Sequence, residues 1–295
     1  MKHCLLVFLT LLCLPLSGKA EQPLKIVASF SIIGDMVKQI AGNDADLKTL
    51  VGANGDAHEY EPTAADAKTI AQADIVFING LGLEGWIERL IKSSGYKGKV
   101  ITLTAGITPL KKGTHEDPHA WQDIENAKIY VRNISATLQT ANPTQSKKYK
   151  ENTDAYINKL TEVDGWVKQK ISKIPPEKRK VISMHDAFQY FARQYGIEFI
   201  APLGNSTESD VSAADMARII DAVRKRHITA IFLENMTDSR LIKQLESDAK
   251  AHIGGTLYSD ALSEPDGPAA DYIGLFRHNV AALTAAMQNN PAPNQ

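Results

Sequence analysis

Apolar runs that read as strands alternate with stretches of helical spacing through both halves of this chain. In the first half, LKIVASFSI from Leu24, LKTLVG from Leu47, DIVFING from Asp74 and KVITLT from Lys99 predict strands, with helices over Ile33 to Ala41 and Pro62 to Ala73. The second half repeats the plan with KVISMHD from Lys180, IEFIAPLG from Ile197, TAIFLEN from Thr229 and IGGTLYSD from Ile253. Its helices are expected over Ala187 to Tyr195, Ala213 to Arg226 and Ser239 to Ala251. Strands alternating with helices imply parallel βα units, so the fold class is α/β with two similar lobes.

Between the halves lies a single long helical pattern. Asn142-Pro143 reads as an N-cap followed by proline at the first helical position, and Ile174-Pro175-Pro176 stops the pattern after Lys173. Tyr149, Tyr156, Leu160, Val163, Val167 and Ile171 recur at helical spacing and give one apolar stripe. The division expected is a first lobe over 21–141, a linking helix over 142–174 and a second lobe over 175–295. Gly165 weakens the middle of the helix by about 1 kcal/mol against alanine. A tolerated glycine without mechanical role is the simpler reading than a bend.

The amino-terminal residues change the picture of where the protein works. Lys2 and His3 precede the apolar stretch Cys4 to Leu16, and Ser17-Gly18-Lys19-Ala20 supplies small residues for cleavage. Residues 1–20 are therefore read as a secretory signal, with the mature chain starting at Glu21 and working in a bacterial periplasm. Both cysteines, Cys4 and Cys13, fall inside that segment, which removes disulfides and thiolate ligands from the mature protein. Lipidation at Cys13 is disfavoured because Leu12 stands where a small residue is wanted. The formal net charge of -1 offers no general attraction to nucleic acid or an anionic membrane. No second apolar run is long enough to span a bilayer.

Candidate chemistry concentrates at strand ends. His58 follows the second strand of the first half and His119 its fourth; His185 ends the first strand of the second half and Asp260 its fourth. Open α/β sheets bind ligands beyond the carboxyl ends of their strands. Three imidazoles and one carboxylate drawn from both halves point to one buried transition-metal site between the lobes. Such donors suit zinc, and also manganese or iron, better than calcium. Each residue has an ordinary alternative: His58 as an exposed loop histidine, Asp260 as a turn residue before Ala261. Pro118 and Trp121 are expected to fix the loop that carries His119. Asp123 is read as a helix N-cap rather than an acceptor orienting an imidazole, and Asp186 as a cap for the helix from Ala187.

The remaining histidines carry less. His227, His252 and His278 are read as solvated helix positions, and His115 with Glu116 and Asp117 as a short loop. A secreted metalloenzyme is the main rival class. The residue four beyond His58 is Pro62, so HExxH is absent, as are a GxSxG elbow and a phosphate loop. Four protein ligands would also close the position that a catalytic zinc keeps open for water.

The segments DAHEYEPT (Asp56 to Thr63), DPHAWQD (Asp117 to Asp123), MHDAFQYF (Met184 to Phe191), and LENMTDSR followed by GGTLYSDAL (Leu233 to Leu262) occur in order. Together they resemble the cluster A-I, TroA-like solute-binding proteins of bacterial ABC importers for zinc, manganese and iron, across the mature chain. The resemblance implies two α/β lobes bridged by a long helix, with metal held in the cleft by His58, His119, His185 and Asp260. It implies Zn2+ as bound cargo, with Mn2+ or Fe2+ as the alternative, because members with glutamate at the third position look mainly manganese-specific and this chain has His185 there. Zinc-uptake members carry a long His-rich loop before the second histidine, and here only Thr114-His115-Glu116-Asp117 stands in that place. The implied partners are an ABC permease with its ATPase in the inner membrane; a periplasmic metallochaperone is a further candidate partner, with His115 either taking metal from it or merely decorating a loop. A monomer suits a carrier that docks reversibly. A surface adhesin whose metal only stabilises the fold is a third class.

Overall fold

The computed structural model describes residues 22–208, 212–226, 228–236 and 252–290. The expected signal segment, the helix over Ser239 to Ala251 and His227 lie outside them. The first half forms a parallel sheet from β1 (Leu24–Phe30), β2 (Ala45–Val51), β3 (Ile75–Ile78) and β4 (Lys99–Thr102), in the order β2-β1-β3-β4. A two-stranded hairpin, β5 (Lys111–Lys112) and β6 (His115–Glu116), follows it. The second half forms a parallel sheet from β7 (Lys180–Ile182), β8 (Glu198–Ile200), β9 (Ala230–Glu234) and β10 (His252–Leu257), in the order β10-β9-β7-β8.

Parallel neighbours need crossover connections, and the helices supply them. Among the described residues the crossovers use α1 (Ser31–Ala41), α2 (Ala64–Ala71), α3 (Ile87–Ser94), α6 (Gln189–Tyr195) and α7 (Ala213–Arg226), while α4 (Ile124–Ala141) and α5 (Ser146–Ser172) lie between the two sheets and α8 (Tyr272–Gln288) follows β10. Local chemistry fixes their ends. Thr63 and Asp66 form a reciprocal capping box at the start of α2, and Gly95, at φ 71°, ends α3 in the left-handed conformation that glycine takes without strain. Central strand β1 reads as a continuous apolar run because Ile26, Val27, Ala28 and Phe30 are all buried between helical layers.

Every residue of the stripe predicted on the linking helix is buried in α5. The helix starts at Ser146 rather than at Asn142: the Asn142 side chain instead caps a short 3-10 turn, Pro143–Gln145, by accepting from Gln145 N–H. Gly165 sits in an unbroken helix. Its 27 residues span roughly 40 Å at the usual rise. Helices α1, α4 and α8 pack against it, so one hydrophobic core runs from the first sheet through α5 to α8. A smaller core of Ile182, Met184, Met216, Val223, Ile228 and Ile231 lies against the second sheet.

Three local expectations are corrected. Asp186 does not cap a helix: α6 begins at Gln189 after Phe188, and the Asp186 carboxylate accepts from Lys112 and Gln189 instead. His252 opens strand β10, where an apolar neighbour sheet strand outweighs the polar run before it. His278 is on α8 but half-buried rather than a free surface residue; its Nε2 lies 2.9 Å from Thr256 O and its ring packs edge-on against Tyr258.

Candidate metal centre

The loops beyond the carboxyl ends of β2, β4, β7 and β10 converge, and they bring His58, His119, His185 and Asp260 together with one donor atom each within 4.8 Å of the others. Nε2 of His119 lies 3.3 Å from Nε2 of both His58 and His185. Asp260 Oδ2 is 3.3 Å from His58 Nε2 and 3.0 Å from His185 Nε2, and its Oδ1 is 3.6 Å from His119 Nε2. A tetrahedron with metal–ligand bonds of about 2.0 Å has edges of roughly 3.3 Å. With Oδ2 as the Asp260 donor, four of the six edges measure 3.0 to 3.3 Å. His119, His185 and Asp260 are fully buried and His58 is 5% exposed.

The donor set fits a divalent cation. Both Asp260 oxygens are buried and accept no hydrogen bond among the described residues, facing only the imidazole nitrogens. A buried carboxylate left that way is costly unless a cation or proton sits against it. Burial alone would lower the His119 pKa, but Asp260 and Asp117 outweigh it and push it up to about 9. Burial likewise opposes charge on His185, and Glu234 and Asp260 overcome it and hold it well above the usual histidine range. Asp260, which burial would raise, is held well below the usual carboxylate range by His185 and His119.

A ring of supporting contacts aims the imidazoles. Asp117 Oδ1 lies 2.7 Å from His119 Nδ1 and accepts from His119 N–H at 3.0 Å. Glu234 Oε2 lies 2.6 Å from His185 Nδ1, while Oε1 accepts from the backbone N–H of Met184 and of His185. A carboxylate on the far ring nitrogen leaves Nε2 free to ligate and fixes the ring. The His58 N–H donates to Asp56 Oδ1 at 2.8 Å, and Asp56 Oδ2 accepts from Thr207 of the second half at 2.7 Å. Asp123 caps α4, accepting from Glu125 N–H, in keeping with its expected role. Trp121 anchors its loop, fully buried, with its indole N–H donating to Ser259 O at 3.0 Å.

Sequence reasoning missed Glu234. The available signal was an acid at the end of the apolar run AIFLE, where a charge needs a partner. It also missed that His58 lines a cleft of about 420 Å3 shared with Leu83, Lys112, His115, Glu116 and Glu208. His115 stands exposed on β6 at that mouth.

Comparison with known proteins places the chain. The family described as zinc-uptake complex component A, periplasmic (ZnuA), matches residues 26–286. Manganese-binding lipoprotein MntA of Halalkalibacterium halodurans is 31% identical over 274 residues, spanning 92% of this chain and 91% of its own. Iron-binding protein YfeA of Yersinia pestis is 32% identical over 264 residues, spanning 88% and 85%. Among solved structures, the periplasmic zinc-binding protein TroA from Treponema pallidum superposes with a TM-score of 0.87 at 30% identity, covering 90% of this chain and 99% of its own. Relatives at nearly equal identity are thus named for different metals.

Proposed function

Because the chain belongs to the periplasmic zinc-uptake component A family, we propose that it captures a divalent transition metal outside the cytoplasm and delivers it to an ABC permease for import. The convergence of His58, His119, His185 and Asp260 on one buried point carries this reading, with those four as the ligands. The ion is cargo: four protein donors fill a tetrahedral shell and leave no position for a reacting water, which argues against an enzyme. Zinc is favoured over manganese or iron, because three imidazoles with one carboxylate at near-tetrahedral separations suit zinc, whereas manganese prefers more oxygen donors. The names of the manganese and iron relatives keep those ions as the second reading.

The mature carrier is read as residues 21–295 after signal cleavage, with lobes over 21–141 and 175–295 joined by 142–174. It works as a monomer in the periplasm, docking on the permease whose ATPase drives uptake. A periplasmic metallochaperone is the natural donor to the cleft beside His115.

Competitive zinc and manganese titration of the metal-stripped mature protein, with elemental analysis for stoichiometry, tests the reading. One tight zinc site that His185→Ala abolishes is expected. A preference for manganese would reassign the cargo and keep the carrier, and failure to bind either ion would end the proposal.

A further inference from the structure

The turn after β3, Asn79 to Trp86, makes no hydrogen bond or ion pair to a candidate ligand among the described residues, yet it grips the peptide groups on which two of them hang. Asn79 Nδ2 donates to Pro118 O at 2.9 Å, and Trp86 Nε1 donates to Ala57 O at 2.8 Å. Those carbonyls belong to the peptide groups immediately before His119 and His58. A carbonyl held there fixes the peptide plane, and with it the direction in which the next residue's Cβ leaves the backbone. We propose that Asn79 and Trp86 are positioning residues for metal capture, Asn79 setting His119 and Trp86 setting His58 through one shared turn.

The turn is itself built to be rigid. Glu84, buried among backbone donors, accepts from Asn79 N–H at 2.7 Å, Gly80 N–H at 3.2 Å and Ser29 Oγ at 2.5 Å, tying the turn to the end of β1. Tyr130 of α4 donates to Asn79 Oδ1 at 2.6 Å, which orients the amide so that its NH2 faces Pro118. Thr104 Oγ1 donates to Asn79 O at 2.7 Å. The backbone takes an unusual path to allow this: Gly80, Leu81 and Gly82 have φ of 87°, 55° and 80°. Two are glycines, which adopt that region freely, but Leu81 is not, and a non-glycine residue held there signals a surrounding that dictates it. A Cβ on Gly80 would stand 2.4 Å from Thr102 Cγ2, so the turn also approaches β4 too closely for any side chain.

This rests on the reading of His58 and His119 as ligands, and crossed substitutions test it. Zinc affinity is measured by competition with a chromogenic chelator for Trp86→Phe and Asn79→Asp, each alone and combined with His58→Ala or His119→Ala. Phenylalanine keeps the ring packed on Tyr60 but removes the donor. Aspartate keeps the Tyr130 bond but turns an acceptor toward the Pro118 carbonyl. Each single change is expected to weaken zinc by about tenfold to a hundredfold, as loss of outer contacts to metal ligands does. The Trp86 effect should vanish once His58 is gone and persist without His119, and the Asn79 effect should do the reverse. Equal losses in both backgrounds, or none, overturn the proposal. If Asn79→Asp does not fold, Tyr130→Phe takes its place with the same pattern.

The backbone amide NMR signals of the metal-free protein separate this inference from the wider function. Trp86→Phe should shift the His58 amide and spare His119, and Asn79→Asp the converse. That pattern stands even if the unaltered protein binds no zinc, which would defeat the transport reading alone; a uniform shift defeats the positioning role.

Discussion

The floor and the rim of the candidate metal cleft are held across the two halves of the chain in different ways. On the floor, Trp121 Nε1 and Gln122 Nε2 both donate to Ser259 O, at 3.0 and 2.8 Å, next to Asp260. Tyr272 donates its hydroxyl to Trp121 O and its backbone N–H to Asp35 Oδ2, while Asn54 N–H reaches Leu262 O at 2.9 Å. These bonds are largely buried and use backbone groups. On the rim, the crossing contacts include Lys112 to Asp186, at 2.5 Å with the Lys112 side chain 63% exposed, and Thr207 to Asp56 at 2.7 Å, while Tyr190 accepts from Leu110 N–H at 3.0 Å and donates to Asp117 O at 2.8 Å. Buried bonds to backbone cost the full desolvation of their partners when broken, whereas exposed ion pairs compete with water and salt. Water and salt therefore loosen the rim contacts beside His58 more readily than the buried bonds of the His119–Asp260 floor.

The largest effect is expected from the floor's charge. Asp260→Ala removes the only carboxylate of the candidate shell and should weaken zinc by more than about a hundredfold, beyond what loss of an outer contact costs; isothermal or competition titration reads it, and an unchanged constant would break the distinction between ligand and surround. Next comes pH. His119 in the metal-free protein is pushed up to about 9, so its charged form stabilises the fold fully below about 6.5 and that contribution is lost as pH rises through about 9. Over the same window zinc has progressively fewer protons to displace. Its affinity should rise by up to about tenfold per pH unit for each proton released, and metal-free stability should fall. Calorimetry of both from pH 6 to 9 checks the opposite signs.

Trp121→Phe, which deletes one floor bond and keeps the packing, should cost about 1 kcal/mol in a denaturant melt of the metal-free protein. The smallest effect belongs to the rim: Lys112→Ala should leave stability within about 1 kcal/mol and speed zinc release by no more than about fivefold, with high salt reproducing it in the unaltered protein. A rim substitution that destabilised the fold more than Trp121→Phe would reverse the comparison.

Elements with a strong period were readable in the chain. The α5 stripe from Tyr149 to Ile171 is buried as its spacing implied, and the strands beginning near Leu24, Asp74, Lys99 and Lys180 form where their apolar runs stand. Boundaries were less legible where capping competes with helix growth, as at Asn142, or where a side chain finds a distant partner, as Asp186 does in Lys112. The four candidate ligands were visible because the carboxyl ends of parallel strands face one edge, which turns a position along the chain into a position in space.

Local pattern alone thus determined the α/β class, the linking helix and which residues stand at strand ends, since periodicity and turn chemistry act over a few residues. Only the tertiary structure decided that Glu234 backs His185, that Asn79 and Trp86 grip the loops of His119 and His58, and that the Ser259 carbonyl is held by buried donors while Lys112 reaches Asp186 from an exposed position. Those contacts and the other floor bonds join residues from 29 to 237 positions apart. Nothing in the local chemistry of either partner names the other; packing of the sheets and α5 brings them within hydrogen-bond reach.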